Sequence, residues 1–345
     1  MDNFIYFPII KTRDAELKCM SNIDPETFDK ILPIYELTKS RKTSKTPDGD
    51  IHRRMNVIGD IQGKKEFILD VCTLPAYINP QIEQLIDEAD GYHYWRYFLS
   101  LYSDLNIIPM IHLYDDEDFT EVNNFIRHVS QLYPRLCLRL PYDVDNIKNY
   151  VVNISRFLSN NCKLILVFDG DFLQLDPVYG INDIVDNFVT ACSEVSDIPN
   201  IDCIVIAGTS FPKSVAPYGD KEGIFDILEE KVYQAVREEY DVKYGDYASI
   251  NTEQIEVRGG TFIPRIDISL DEKFIYKRNR REQGSYVLCA QEMLGDSRYH
   301  SLSCWADREI LTTSQGEPNG RSPSFWIAAR MNYFMTSRVL LRRAD

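Results

Sequence analysis

Residues 163–171 read KLILVFDGD: five consecutive apolar residues, Leu164 to Phe168, run directly into two carboxylates, Asp169 and Asp171. An uninterrupted apolar run bounded by polar residues suits a parallel strand buried on both faces. Its end delivers the carboxylates to one edge of a sheet. The pattern recurs toward the N-terminus, where LCLR ends in Arg139, IIPMIH in His112, FILD in Asp70, ILPIYE in Glu36, and IYFPII runs into Lys11. Toward the C-terminus, CIVIAGTS ends in Ser210 and a weaker YGDYASI carries Asp246. Eight strands are predicted, each with a polar residue at or near its C-terminal end.

Parallel strands need crossovers of a dozen or more residues, usually helical. The spacers supply them. Phe119 to Leu132 places Val122, Phe125, Ile126 and Val129 on one face, and Ile147 to Leu158 does so with Val151, Ile154 and Phe157. Ile181 to Cys192 and Ile224 to Val236 carry the same register, while Arg13 to Lys30 and Ile78 to Leu105 hold shorter helical patterns and an aromatic run, Tyr92 to Tyr102. Eight strands alternating with helices over about 250 residues match an α/β fold, a TIM-like (β/α)8 barrel whose active site gathers at the C-terminal ends of the strands. The competing arrangement is an open doubly wound sheet, with the same polar ends along one crevice. The barrel is assigned to residues 1–254. Residues 255–345 are read as a C-terminal α+β extension packed on it: a hairpin within Thr261 to Arg278, a helix near Gln283 to Leu294 and an amphipathic helix from Ser324 to Arg343. The predicted core includes Ile5, Phe7, Ile9, Ile34, Ile68, Met110, Leu138, Leu166, Phe168, Ile204 and Ile206.

Composition narrows the function classes. Fifty-three acidic against 38 basic residues give a formal net charge of −15, which argues against general attraction to duplex DNA or an anionic membrane. No apolar run approaches the length of a membrane span, and MDNFIYFPIIK reads as a strand instead of a signal peptide. The eight cysteines are scattered without a CxxC pair, as expected of buried free thiols in a reducing cytoplasm. One segment opposes the acidic balance: Lys39 to Arg54, KSRKTSKTPDGDIHRR, has six Lys or Arg and two acids, and Pro47-Asp48-Gly49 marks a turn. It is expected to be a mobile loop at the mouth, with Lys39, Arg41 and Lys42 as substrate-binding groups; the alternative is a solvated insertion.

The segments YFPIIKTRDAEL, ILPIYEL, ILVFDGDFL, VIAGTSFP and YGDY, with Trp326-Ile327-Ala328-Ala329 near the end, resemble the beta-protein family encoded by bacteria and their phages. The match is most specific at Lys11 with Glu16, at Glu36, at Gly208 to Pro212 and at Gly245-Asp246-Tyr247. Where that family often carries a histidine pair after the tryptophan, this chain has Met331-Asn332. The resemblance implies a TIM-like barrel and a phage or anti-phage defence setting. It supplies no catalytic residue.

In a barrel, Lys11, Glu36, Asp70, Arg139, Asp169 and Asp246 approach a common centre, with His112 and Ser210 nearby. Carboxylates can hold Mg2+ or another divalent cation through oxygen ligands while bases clamp a phosphoryl group, or two acids can exchange protons without metal. The candidate catalytic set is Lys11, Glu36, Arg139, Asp169 and Asp246, the metal set Glu36, Asp70 and Asp169, and Ser210 is a further anion-binding residue. This leads to a divalent-cation-assisted phosphodiesterase or nuclease acting on a phosphorylated small molecule or single-stranded nucleic acid. The second hypothesis is a non-enzymatic recognition barrel binding a phage or host protein; a glycosidase is a weaker third. Structural ion pairing is the bland explanation for each charge, Lys11 with Glu36 above all. Carboxylates within metal-bridging reach would favour the enzyme, and carboxylates each locked to Arg or Lys would favour recognition.

Overall fold

The computed structural model describes residues 1, 3–113, 118–175, 180–253 and 262–343. In chain order the strands are β1 (Tyr6–Lys11), β2 (Ile34–Leu37), β3 (Phe67–Val71), β4 (Ile107–Ile111), β5 (Arg135–Pro141), β6 (Lys163–Phe172), β7 (Ile201–Thr209), β8 (Glu222–Asp226), β9 (Val242–Asp246), β10 (Arg265–Ser269) and β11 (Lys273–Arg278). β1 to β7 and β9 form a closed parallel barrel, with β9 pairing both β7 and β1. The open-sheet alternative is thereby excluded. These are the eight strands expected from the apolar runs.

Side chains alternate between two packed layers, because successive residues of a strand face opposite sides. Phe7, Ile9, Ile34, Ile68, Ile108, Met110, Cys137, Ile165, Val167, Val205 and Ala207 fill the interior of the barrel. Leu138, Leu166, Phe168 and Ile206 instead face the surrounding helices. The expected core therefore mixes the two layers, with Ile5 and Ile204 only partly buried on the outer one. Gly245 shows how tight the interior is: an added Cβ would lie 2.9 Å from Val205 and 3.1 Å from the Phe7 carbonyl oxygen.

Helices over Thr120–Val129, Ile147–Ser155 and Ile181–Val195 match the predicted crossovers. Two segments differ. Residues 222–226 form β8, so Ile224 lies in a strand, and the helix begins only at Leu228. The basic segment ends as a helix, Ile51–Gln62, whose first turn is capped by Asp50 Oδ1 accepting the His52 N–H at 3.0 Å. Ile51, Met55, Ile58 and Gln62 form its buried face.

β8 pairs antiparallel with β11, and β11 with β10, in a three-stranded sheet. The hairpin predicted in the extension thus shares a sheet with the β7–β9 connection of the barrel. The expected boundary at 254/255 and Thr261 lie outside the described residues. The final helix, Pro323–Arg343, packs on the helix Asp14–Met20 and, through Arg342, on the outer face of β9, where the guanidinium lies 3.4 Å from the Tyr244 ring centroid. It occupies the place of an eighth barrel helix. Arg338, fully buried, anchors it: Nη1 is 2.8 Å from Glu230 Oε2 and also donates to the Asp271 carbonyl. An amphipathic pattern that buries arginines is read poorly from hydropathy, because an arginine is tolerated inside only where partners in three dimensions pair and hydrogen-bond it.

Candidate functional site

The strand ends at the C-terminal mouth bring five charges together. Lys11, Glu36 and Asp70 lie in register across β1, β2 and β3, all facing inward. Lys11 Nζ is 2.9 Å from Glu36 Oε2. Arg139 reaches from β5 across the mouth, with Nη2 2.9 Å from Glu36 Oε1 and 2.7 Å from Asp70 Oδ2. Asp169 on β6 completes the set more loosely, its Oδ2 3.6 Å from Arg139 Nη1. His112 Nε2 lies 3.5 Å from Asp70 Oδ1, and its ring stacks on Trp95 at 5.1 Å. One guanidinium therefore faces three carboxylates from three strands.

Tyr247, immediately after β9, joins this ring. Its hydroxyl donates to Asp169 Oδ2 at 2.5 Å, and Lys11 Nζ sits 5.2 Å from the centre of its aromatic ring. The circuit Lys11, Glu36, Arg139, Asp169, Tyr247 is closed. Sequence reasoning gave the role on β9 to Asp246, one residue too early. Asp246 points outward, accepting from the Tyr6 hydroxyl at 2.5 Å and the Ala248 N–H at 2.7 Å. The signal was present, because Tyr247 is two residues from Gly245, the position too crowded for a side chain, and therefore shares its inward face.

The other expected ligand groups lie apart from the ring. Ser210 Oγ donates to Glu229 Oε2 at 2.5 Å and accepts the Leu228 N–H at 2.9 Å, so it anchors the start of the helix Leu228–Val236. Lys39 Nζ donates to the Ile78 carbonyl at 2.8 Å. Arg41 and Lys42 are exposed on the connection after β2. That connection leaves the mouth side of the barrel, as expected, but is pinned by bonds from Lys39 N to the Tyr77 carbonyl and from Asp50 N to Ser40 Oγ.

Electrostatics separate the ring carboxyls. Burial pushes Glu36 up, but Lys11 and Arg139 outweigh it and bring the carboxyl down to about 2. Burial alone would also lower Lys11, and Glu36 reverses this so that the ammonium is held. Asp169 moves the other way: burial raises it, and the opposing pull of Arg139 and the Tyr247 hydroxyl does not cancel the effect. Arg139, 20% exposed, and Asp169, 13% exposed, are the parts of the circuit the mouth presents to solvent; Lys11, Glu36 and Asp70 are 7% exposed or less.

A divalent cation does not fit this arrangement. Each of the six carboxylate oxygens of Glu36, Asp70 and Asp169 already has a cation or donor within 3 Å: Lys11, Arg139 twice, and the Val71 N–H, Asp171 N–H and Tyr247 hydroxyl. Among the described residues no group of three His, Cys, Asp or Glu is placed to hold a metal ion. The proposed metal set of Glu36, Asp70 and Asp169 is instead a set of counter-ions.

Backbone strain gathers beside Asp169 and Tyr247. β6 carries a register irregularity between Asp169 and Phe172, with Asp171 at φ 50°, and Ala248 and Ser249 follow Tyr247 at φ 48° and 63°. Non-glycine residues in this region cost on the order of 1–3 kcal/mol each and cluster at functional sites.

Fold and ring together define a (β/α)8-barrel protein with a charge-compensated site at the C-terminal mouth. The Beta protein family model matches residues 6–340, and the chain belongs to that family. It is 24% identical over 356 residues to Protein beta of Enterobacteria phage P4, covering 99% of this chain and 95% of the phage protein. The protein is thus phage-related. Among the described residues no helix is long and apolar enough to cross a membrane.

Proposed function

We propose that the barrel mouth is a recognition site for a small polar ligand, with Arg139 and Asp169 as the groups that meet it. The observation carrying this reading is the mutual locking of Lys11, Glu36, Arg139 and Asp70, which builds a rigid charged floor beneath the two more accessible groups. A phosphorylated small molecule is the preferred ligand class, because a permanently charged guanidinium suits phosphate geometry. The setting proposed is a phage or anti-phage one. A protein partner would have to insert a side chain or chain end, since the ring lies below the surface.

A specific observation favours a second reading, hydrolysis of a phosphorylated substrate by proton transfer. Asp169 combines a raised proton affinity with partial exposure, the properties of a general acid. Thermal-shift screening of phosphorylated metabolites and short single-stranded oligonucleotides tests both readings. Recognition predicts a ligand that stabilises the parent, fails to stabilise Arg139→Met, and is recovered unchanged by mass spectrometry. Recovery of cleaved ligand, lost in Asp169→Asn, would favour the hydrolase. A stabilising ligand that binds Arg139→Met equally well would move the site away from the mouth.

A further inference from the structure

Resting on the mouth as the ligand site, we propose that Asp169 is an exchangeable counter-ion of Arg139: a ligand oxyanion takes its place at Nη1, and Tyr247 holds the displaced carboxyl. Tyr247 is then a positioning residue, acting on the ligand through Asp169.

Three features of the ring carry this. The Arg139–Asp169 contact is the loose one, 3.6 Å against 2.7 and 2.9 Å for the contacts of the same guanidinium with Asp70 and Glu36. Among the described residues Arg139 Nη1 has no hydrogen-bond acceptor, so one donor of a buried guanidinium is unused. A buried donor without an acceptor is unfavourable, and a ligand oxygen would satisfy it. Finally, Asp169 has partners of its own away from Arg139: Oδ2 accepts from Tyr247 at 2.5 Å and Oδ1 from the Asp171 N–H at 2.9 Å. It can leave the guanidinium without being orphaned. Glu36 and Asp70 are held closer, both within 3 Å of Arg139 Nη2.

The exchange has a charge consequence. An anion at Arg139 neutralises the cation that offsets Asp169, leaving the carboxyl beside the ligand and near Asp171, with Tyr247 just after β9 and Lys11 on β1 behind it. Glu36 on β2 stays paired with Lys11. Asp169 therefore takes up a proton as the ligand binds. The proton goes to the carboxylate, no covalent bond in the ligand changes, and affinity rises as pH falls.

Calorimetry of the full chain with sulfate and with acetate tests this, because neither probe changes charge between pH 6 and pH 8. The expected result is binding that takes up close to one proton, counted in two buffers of different ionisation enthalpy, and that weakens as pH rises. Sulfate bound and acetate not would assign the site to tetrahedral oxyanions; the reverse would assign it to carboxylates. Tyr247→Phe is expected to weaken binding about tenfold, equivalent to about 1.4 kcal/mol, with its urea midpoint unchanged. Asp169→Asn is expected to bind with no proton uptake and no pH dependence. The exchange is overturned if neither anion binds the parent, if binding takes up no proton, or if Tyr247→Phe binds as the parent does. A fall in urea midpoint for Tyr247→Phe with unchanged affinity would make the hydroxyl a structural bond only. Failure here leaves the metabolite screen with Arg139→Met to decide separately whether the mouth binds a ligand.

Discussion

Replacing Glu36 by Gln keeps the side-chain shape and removes the charge that ties Lys11 to Arg139. In the folded chain its carboxyl is brought from an ordinary 4.5 to about 2, against the effect of burial, by those two cations. A depressed folded pKa contributes stability that is present above the unfolded pKa and lost as pH falls toward the folded one. A difference of about 2.5 units, at about 1.4 kcal/mol each, makes this roughly 3 kcal/mol at pH 7. At pH 3, between the two values, the same linkage leaves less than half of this. Urea unfolding of parent and Glu36→Gln at both pH values measures this directly. The variant is expected to be less stable by about 3 kcal/mol at pH 7, with the gap roughly halved at pH 3. Equal midpoints at pH 7, or a gap that does not shrink on acidification, would refute the argument that the ring neutralises itself.

Three further outcomes are expected. Burial raises the Asp246 carboxyl to about 6 and the Glu229 carboxyl to about 7. Both favour the fold in their protonated state, so parent stability should fall as pH rises from 5 to 8, and the Asp246→Asn, Glu229→Gln double variant should flatten that slope in urea unfolding. Arg338→Met leaves Glu230 with Arg342 as its remaining arginine partner and removes two bonds to the turn between β10 and β11. Breaking a buried pair from one side costs about 3–5 kcal/mol, and calorimetric melting should report it as a lower transition temperature. Brief trypsin digestion should nick the exposed Arg41–Lys45 stretch first, with both pieces staying together on gel filtration.

The barrel was legible because each strand is a separate apolar run with a polar end, and the intervening helices carry period-3.6 faces. What the runs concealed was their phase. LCLR and KLILVF are apolar on both faces, so nothing in them says that Cys137, Ile165 and Val167 point inward while Leu138, Leu166 and Phe168 point out. The same ambiguity gave the role on β9 to Asp246 instead of Tyr247. Charges at strand ends announced a ring, but a strand cannot reveal which partner its charge meets across the barrel, and the locking of all six carboxylate oxygens only became readable in three dimensions. The helix Ile51–Gln62 is hidden for another reason: basic residues and Gly59 interrupt the sequence around its narrow buried face of Ile51, Met55, Ile58 and Gln62. The helix Trp305–Ser314 buries Asp307 and Glu309 among its apolar residues, which blurs its periodicity.

The central claim is that Arg139 at the mouth meets a ligand, while Glu36 and Lys11 hold the ring together. Arg139→Met tests this, because it removes the guanidinium that Glu36, Asp70 and Asp169 all face. The decisive measurement is the in-cell effect of this variant, as protection or toxicity in a phage-challenged host, at matched levels of folded protein. The predicted result is loss of the effect in Arg139→Met, whereas Asp169→Asn, which still binds, keeps it. Full in-cell activity in Arg139→Met would contradict the account, as would a loss that merely follows a lower folded fraction.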